Sequence, residues 1–243
     1  MKAGSDAFGH AVLDWARGGA IPEMIERDDG LTTIGAGPLV YLSDVKGWPS
    51  AERQSMRYVR GRVLDVGCGA GRVTLHLQRR GFDAVGLDAS SLAIQAARLR
   101  GVKQLRCASL ETLASNIGSF DTVVMFGNNF GIFGSTERAR KILTQWAKKT
   151  NPRARIFLES TNPYCGGAPG IDRAYYRRNK ERGNSPGLAR FRYHYDHYVG
   201  SWFSWLYVSR SELRVLVRGT GWHLAHVLGE HSSEPYVAIL ERD

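Results

Sequence analysis

The pattern of apolar and polar positions changes character along the chain. Apolar residues recur at helical spacing from Phe8 to Ala16, which predicts a first helix. Residues 21–25 carry three further apolar positions around Pro22, a residue typical of a helix start, so we expect a second helix there. Residues 28–49 are rich in turn-forming residues. The pattern therefore predicts two helices and a loop in residues 1–50.

From Arg62 onward, short apolar blocks alternate with helical patterns. Ser90 or Ser91 is placed to cap one of these helices, and another is expected from Thr136 to Lys149. Strands that alternate with helices in this way form a parallel sheet covered on both faces. The strands are predicted at residues 63–66, 84–87, 104–107, 122–126 and 155–159.

The alternation stops after residue 160. Residues 162–207 read as an insertion in which 190–198 forms a strand, and Ser209 with Glu212 has the spacing of a helix capping box. The apolar runs 222–228 and 236–240 are too close for a helical crossover, so they are expected to pair antiparallel. The predicted fold is a doubly wound α/β domain whose seven-stranded sheet is mostly parallel with an antiparallel last strand.

Length and composition agree with a single globular domain spanning residues 1–243. No apolar run approaches the roughly 20 residues that cross a bilayer, and no signal peptide is expected. Cys68, Cys107 and Cys165 lack metal-ligand spacing and favour reduced thiols in the cytoplasm. The net charge of +10 permits an anionic partner, although it is equally typical of a charge that keeps a protein soluble.

A glycine loop lies between the first strand of the alternating region and its helix. Gly67, Gly69 and Gly71 follow a G-x-G-x-G spacing. The G-x-G-x-x-G fingerprint of dinucleotide sites is not matched, because the position of its third glycine is occupied by Arg72. Asp65 precedes the loop, and its carboxylate would repel a diphosphate but attract a cationic ligand without phosphate. The alternative is that Asp65 accepts hydrogen bonds from backbone N–H groups nearby.

A second acid, Asp88, ends the next strand, 17 residues after Gly71. A carboxylate at this position can accept hydrogen bonds from both hydroxyls of a ribose. The alternative is an acid that stabilises the N-terminus of the next helix. NAD-dependent enzymes also use an acid here, so Asp88 indicates a nucleoside without choosing between cofactors.

Three segments, residues 62–72, 85–90 and 119–124, closely resemble the class I S-adenosylmethionine (SAM) dependent methyltransferases. The resemblance covers roughly residues 58–160, which would form the SAM-binding core, and implies SAM as cofactor with S-adenosylhomocysteine as product. It also implies a role for each matching residue. Asp65 would orient the amino group of SAM, and Asp88 would hold its ribose. The methionine part would be lined by Gly67, Cys68, Gly69 and Gly71, with Phe126 and Gly127 beneath it. The adenine would be contacted by Ala89, Ser109 and Leu110.

Ser109 departs from the family pattern, which often has an acid there, so weaker cofactor binding is expected. On the acceptor side, the family uses the loops after the fourth and fifth strands and an N-terminal lid. Residues 1–50 would be that helical lid and 162–207 a cap. Asn128, Asn129 and Tyr41 are the predicted acceptor-binding residues, with a turn-forming role as the alternative for the asparagines.

Two histidines are candidate general bases, because histidine titrates near neutral pH. His194 and His197 differ by three positions and would face opposite sides of a strand, so no metal site is expected. A structural role for either histidine is the alternative. These residues lie in the predicted strand over 190–198.

The sequence thus predicts a cytoplasmic methyltransferase that modifies oxygen or nitrogen of a small or medium-sized, aromatic or anionic metabolite. An RNA-modifying methyltransferase is the first alternative, supported by the basic charge balance. A non-catalytic SAM-binding interaction protein is the second. No membrane association is expected, and no oligomeric state is indicated.

Overall fold

The computed structural model describes residues 6–115, 119–165, 172–229 and 234–243, so positions 166–171 of the predicted insertion lie outside it. Within the described residues, twelve strands form two sheets. The strands are β1 (Met24–Arg27), β2 (Thr32–Ile34), β3 (Val63–Val66), β4 (Ala84–Asp88), β5 (Leu105–Cys107), β6 (Thr122–Met125), β7 (Arg155–Ser160), β8 (Leu188–Tyr195), β9 (Tyr198–Val199), β10 (Phe203–Leu206), β11 (Trp222–Leu228) and β12 (Tyr236–Arg242).

The helices begin where the sequence places capping residues. Ser90, Ser135 and Ser209 each accept a backbone N–H in the first turn of a helix, and Ser209 forms the predicted capping box with Glu212. The α-helices are α1 (Ala7–Trp15), α2 (Gly37–Tyr41), α3 (Ser50–Ser55), α4 (Arg72–Arg79), α5 (Ser91–Leu99), α6 (Leu110–Ser115), α7 (Thr136–Lys149), α8 (Arg173–Glu181) and α9 (Arg210–Leu216), with 3₁₀ turns at Val45–Gly47, Met56–Tyr58, Asn129–Phe133 and Pro163–Cys165.

The larger sheet has seven strands in the order β11-β12-β7-β6-β3-β4-β5. The pairs β3–β4, β4–β5 and β6–β7 are parallel, whereas β12 runs antiparallel to both β7 and β11. Every residue of β3 and β6 is buried, as expected of strands covered on both faces. The predicted fold class is confirmed, and the seven strands expected for this sheet are present within a residue or two of their predicted ends.

The predicted second helix of the N-terminal region is wrong. Residues 24–27 form β1, which pairs antiparallel with β2 on one side and with β8 on the other. The local pattern around Pro22 is compatible with a helix start, but pairing with a strand about 165 residues away decides the conformation. Residues 1–50 are therefore not an all-helical segment: within the described residues they contain a β-hairpin between α1 and α2.

The predicted strand over residues 190–198 is interrupted by a turn. β8 ends at Tyr195, Asp196 has a left-handed backbone (φ 50°), and β9 pairs back onto β8 with His194 opposite Val199. His197 lies in this turn, so the argument that the two histidines face opposite sides of one strand does not apply.

The chain divides into two compact units, each assembled from three segments. The first unit comprises residues 1–48 (described from residue 6), 63–110 and 190–203, and the second comprises 49–62, 111–189 and 204–243. This division does not follow the boundaries expected near residues 50 and 162. None of the described helices is long and apolar enough to cross a membrane.

Each unit has its own apolar core. In the first, α1 packs on α5, with Ala7, Ala11 and Trp15 against Ala93 and Ala96. The close approach of the two helices depends on these small alanine side chains. In the second unit the largest fully buried side chains are aromatic. They are Phe120, Phe130, Phe133, Trp146, Phe157, Trp222 and Tyr236.

Candidate cofactor and acceptor sites

The loop between β3 and α4 is hydrogen-bonded to the end of the neighbouring strand. The N–H groups of Gly67 and Cys68 both donate to the carbonyl oxygen of Leu87, at 2.8 and 3.0 Å. Gly67, Gly69 and Gly71 all have left-handed φ angles of 72°, 52° and 77°. Since other residues rarely adopt this conformation, the alternating glycines are what lets the chain turn so tightly.

The last two glycines of the loop differ in their surroundings. A Cβ atom on Gly71 would lie 2.6 Å from Cγ2 of Val102 and 3.2 Å from Cβ of Ala97, so packing requires glycine there. Apart from its chain neighbours, a Cβ atom on Gly69 would meet no atom of the described residues within 4 Å. The bare backbone at Gly69 therefore borders open space, which fits a loop that a ligand approaches closely.

Asp88 lies beside this open backbone. Its Oδ2 accepts the N–H of Gly69 and its Oδ1 accepts the N–H of Ser90, both at 2.9 Å. Burial raises the pKa of the Asp88 carboxyl, and the two backbone donors oppose that shift. Each carboxylate oxygen has a further lone pair, so the group can still accept hydrogen bonds from two ribose hydroxyls.

Asp65 is buried and bound to the helix that follows the loop. Its Oδ2 accepts hydrogen bonds from both the N–H and the hydroxyl of Thr74, at 3.0 and 2.6 Å. Burial raises the pKa of Asp65 to about 6, against the opposing effect of Thr74. The carboxylate thus caps the first turn of α4, and its predicted contact with the amino group of SAM stays a prediction.

The other predicted cofactor residues of the first unit lie along the same strand ends. Cys68 is buried, and burial together with the carboxylates of Asp88 and Asp65 raises the pKa of its thiol. Ala89 is exposed directly after β4, Ser109 is half-buried between β5 and α6, and Leu110 is buried as the first residue of α6. Their predicted adenine contacts are not tested by these positions.

In the second unit, Phe126 and Gly127 follow β6. Phe126 is buried and Gly127 is exposed with a φ of 75°. The N–H of Gly127 donates to Oε2 of Glu159, a carboxylate that is 1% exposed near the end of β7. Glu159 was not among the predicted site residues, although its signal is the one that singled out Asp65 and Asp88: an acid near the carboxyl end of a buried parallel strand.

Asn128 has a left-handed backbone (φ 60°), which is uncommon outside glycine. Its Oδ1 accepts the hydroxyl of Thr161, a fully buried side chain, at 2.7 Å. This bond fixes the Asn128 amide and leaves the N–H groups of Nδ2 for other partners. Asn129 is half-buried and begins the 3₁₀ turn after β6. The structure therefore places Phe126, Gly127, Asn128 and Asn129 together.

Tyr41 belongs to an aromatic cluster of the first unit. Its ring stacks on Trp15 at 5.5 Å and meets Phe8 edge-on at 5.2 Å. Burial raises the pKa of the nearby Glu23 carboxyl, and hydrogen bonds that include those from Gly37 N–H and the Tyr41 hydroxyl oppose that shift. Within the part of the chain that the structure describes, Oε1 of this buried acid has no hydrogen-bond partner, a feature that the sequence did not signal.

The two histidines have different surroundings. His194 is partly buried, and its Nε2 lies 2.6 Å from Oε2 of Glu26, which also binds Arg192. The hydrogen bonds from Arg192 and His194 lower the pKa of Glu26. His197 is exposed in the turn, where its Nδ1 lies 2.7 Å from Oδ2 of the adjacent Asp196. Among the described residues, no group of three or more His, Cys, Asp and Glu side chains could hold a metal ion.

Comparison with known proteins identifies the class. Residues 63–153 match the family described as "Methyltransferase domain". A ubiquinone biosynthesis O-methyltransferase of Idiomarina loihiensis is 30% identical over 107 residues, which is 42% of each chain. A magnesium-protoporphyrin O-methyltransferase of Rhodobacter capsulatus is 33% identical over 96 residues, 37% of this chain and 41% of the relative. The chain thus spans about two fifths of the length of these curated relatives.

A solved structure matches the whole chain. The SAM-dependent methyltransferase of Bacteroides fragilis, crystallised with S-adenosylhomocysteine, superposes with a TM-score of 0.82 at 25% identity. The match covers 100% of this chain and 97% of the other. Residues 63–153 thus form a methyltransferase domain, and the whole chain shares the fold of a class I SAM-dependent methyltransferase, a class of enzymes whose cofactor is S-adenosylmethionine.

Proposed function

We propose that this protein transfers a methyl group from SAM to an oxygen or nitrogen atom of a small or medium-sized metabolite. The observation that carries the proposal is the pairing of Asp88 with the bare backbone of Gly69. That arrangement combines an acceptor for ribose hydroxyls with a surface that a ligand can approach closely. The O-methyltransferase names of the curated relatives favour oxygen as the methylated atom.

The residues of the glycine loop suit a cofactor that is cationic and carries no phosphate. Asp65 and Asp88 supply negative charge on either side of the loop, and the electrostatic effect of Asp88 raises the pKa of Asp65. A diphosphate would add repulsion to this arrangement, whereas a positive charge relieves it. In the proposal Asp88 holds the ribose, and Gly67, Cys68 and Gly69 line the methionine part. When bound, SAM supplies a methyl group on a positively charged sulfur.

The acceptor is proposed to contact the loop after β6. Thr161 holds Oδ1 of Asn128, so the Asn128 amide is set to donate from Nδ2 to an oxygen of the acceptor. The buried carboxylate of Glu159 holds the N–H of Gly127 beside it. Because these groups are already fixed, little conformational entropy is lost when they bind an acceptor. Alignment of the acceptor with the methyl group is the main contribution that a protein makes to a displacement reaction.

Tyr41 is proposed to bind the acceptor and His194 to act as a general base. Tyr41 offers an aromatic face, which favours a planar or apolar acceptor. His194 is oriented by Glu26, and a histidine oriented by a carboxylate is the arrangement expected of a general base. A base is required only where the acceptor must lose its proton early in the reaction, and His197, exposed in its turn, is the weaker of the two candidates.

The test is an assay in which the protein is incubated with methyl-labelled SAM and a panel of acceptors. Label on the acceptor is measured together with the S-adenosylhomocysteine that is formed. The panel begins with intermediates of ubiquinone biosynthesis and with magnesium protoporphyrin, and extends to fractionated metabolite extracts. Label should appear on an acceptor with the wild-type protein and be strongly reduced with Asp88→Ala. Tight SAM binding without label transfer to any fraction would instead indicate a non-catalytic SAM-binding protein, and label on RNA would move the acceptor class to nucleic acid.

A further inference from the structure

The first turn of α1 is hydrogen-bonded to the end of the strand that carries Asp88. Asp6, the N-cap of α1, is 4% exposed, and its Oδ2 accepts the hydroxyl of Ser90 at 2.6 Å. The N–H of the same Ser90 donates to Oδ1 of Asp88 at 2.9 Å. Ser90 therefore links a carboxylate of the N-terminal helix to the carboxylate proposed to hold the ribose.

The packing around the hydrogen bond between Asp6 and Ser90 leaves no room for a side chain at position 9. The N–H of Gly9 donates to Oδ1 of Asp6 at 2.9 Å. A Cβ atom on Gly9 would lie 2.3 Å from Oδ2 of Asp6 and 2.4 Å from Oγ of Ser90. Glycine at this position thus lets α1 approach α5 closely enough for the hydrogen bond to form.

A second polar contact joins the N-terminal segment to the glycine loop. The guanidinium of Arg100, at the end of α5, donates to the carbonyl oxygen of Ala70 at 3.0 Å and to that of Leu42 at 2.8 Å. Ala70 also packs in the apolar cluster that contains α1. The N-terminal segment is therefore attached to both halves of the candidate cofactor site in this unit: the loop through Arg100, and Asp88 through Ser90.

We propose that Asp6 and Ser90 are positioning residues of the cofactor site, which make cofactor binding depend on the docking of α1. The proposal rests on the proposed role of Asp88 as the ribose ligand. Ser90 holds Oδ1 of Asp88 through its N–H, while its hydroxyl is held by Asp6, so the orientation of the Asp88 carboxylate follows the position of α1. Loss of this link frees the carboxylate to rotate and lowers the affinity for the nucleoside.

Charge adds a readout that a purely structural contact would not change. Asp6 is one of the groups that raise the pKa of Asp88. The other titratable groups facing Asp88 within the described part of the chain are Asp65 and Cys68, with Cys107 bonded to the adjacent Ala89. Removal of the Asp6 charge should lower the pKa of Asp88, so its ionised, ribose-binding form persists to lower pH.

The experiment is calorimetric titration of the full chain with S-adenosylhomocysteine. Asp6→Ala should weaken binding about fivefold to tenfold. The matched control is Asp172→Ala, because Asp172 is also the N-cap of a nine-residue helix and lies in the other unit. Both substitutions remove a helix cap and lower the unfolding midpoint, but only the first should weaken binding.

A second variant, Asp6→Asn, retains an oxygen that can cap α1 and removes the charge. Its binding at pH 7.5 should be weakened less than that of Asp6→Ala, because the amide keeps one of the two acceptor oxygens, and the pH at which affinity falls on acidification should be lower than in the wild type. Protonation of S-adenosylhomocysteine itself affects the measurements on both proteins equally, so it does not contribute to the difference between their pH profiles. Unchanged affinity in Asp6→Ala together with an unshifted profile in Asp6→Asn overturns the proposal. If Asp88→Ala also binds normally, the assignment of the ribose ligand fails as well, so the two failures are distinguishable.

Discussion

Asp65 and Thr74 are joined by two hydrogen bonds that end on the same carboxylate oxygen. Because Asp65 is 2% exposed, removal of one donor leaves a buried carboxylate short of a partner. Thr74→Val should therefore lower the free energy of unfolding by about 1–3 kcal/mol. Thr74→Ser retains the hydroxyl and should cost less than half as much. Urea denaturation at pH 7 measures both. A loss in Thr74→Ser as large as that in Thr74→Val would contradict the prediction, because removal of the methyl group would then cost as much as removal of the hydroxyl.

The same carboxylate predicts a pH dependence of stability. Burial raises the pKa of Asp65 from 3.8 to about 6, so the folded protein holds this proton more tightly than the unfolded chain. The contribution of this group to stability is complete below pH 3.8 and is lost as the pH rises through 6. Asn does not titrate, so the stability of Asp65→Asn relative to the wild type should rise steadily as the pH increases from 4.5 to 7. A constant difference between the two proteins over this range would contradict the raised pKa.

Gly69 and Gly71 form a matched pair for separating binding from folding. Both have left-handed φ angles, so alanine at either position costs about 1–2 kcal/mol in backbone energy. Gly71→Ala adds a clash with Val102 and should destabilise the protein further, whereas Gly69→Ala places its methyl group in open space. We expect Gly69→Ala to stay folded and to weaken S-adenosylhomocysteine binding at least tenfold. A folded Gly69→Ala protein with normal affinity would show that the cofactor does not approach this backbone.

Asn128 offers a test of the acceptor loop. Asn128→Gly suits the left-handed backbone but leaves the buried Thr161 hydroxyl without its acceptor, so it should lower the unfolding free energy by about 1–3 kcal/mol. Asn128→Ala should cost roughly 1–2 kcal/mol more than glycine does, because alanine is strained in the left-handed conformation. Both variants lack the side-chain amide. Methyl transfer to any acceptor found in the screen should fall in both, and S-adenosylhomocysteine affinity should not. Wild-type transfer by Asn128→Gly would remove Asn128 from the acceptor site.

The candidate cofactor residues could be selected from the sequence, because their signals are local. The glycines at 67, 69 and 71 and the acids at 65 and 88 are short-range features of strand ends and turns, and the structure places all five in one unit. Glu159 could have been found by the same rule, since an acid near the end of an apolar strand stands out in a sequence. The acceptor side was harder, because the partners of Asn128 and Tyr41 come from other segments of the chain.

By itself, the sequence indicated the fold class, because the repeated strand–turn–helix pattern predicts a parallel sheet. The G-x-G-x-G loop with its two acids favoured a phosphate-free nucleoside as the ligand. Tertiary structure decided that residues 24–27 are a strand, because β8 supplies hydrogen bonds that no local pattern records. It also decided that Asp6 meets Ser90 and that Thr161 orients Asn128. Contacts between residues 84 or 33 positions apart depend on how whole elements pack, and a short-range pattern of apolar residues holds no information about that packing.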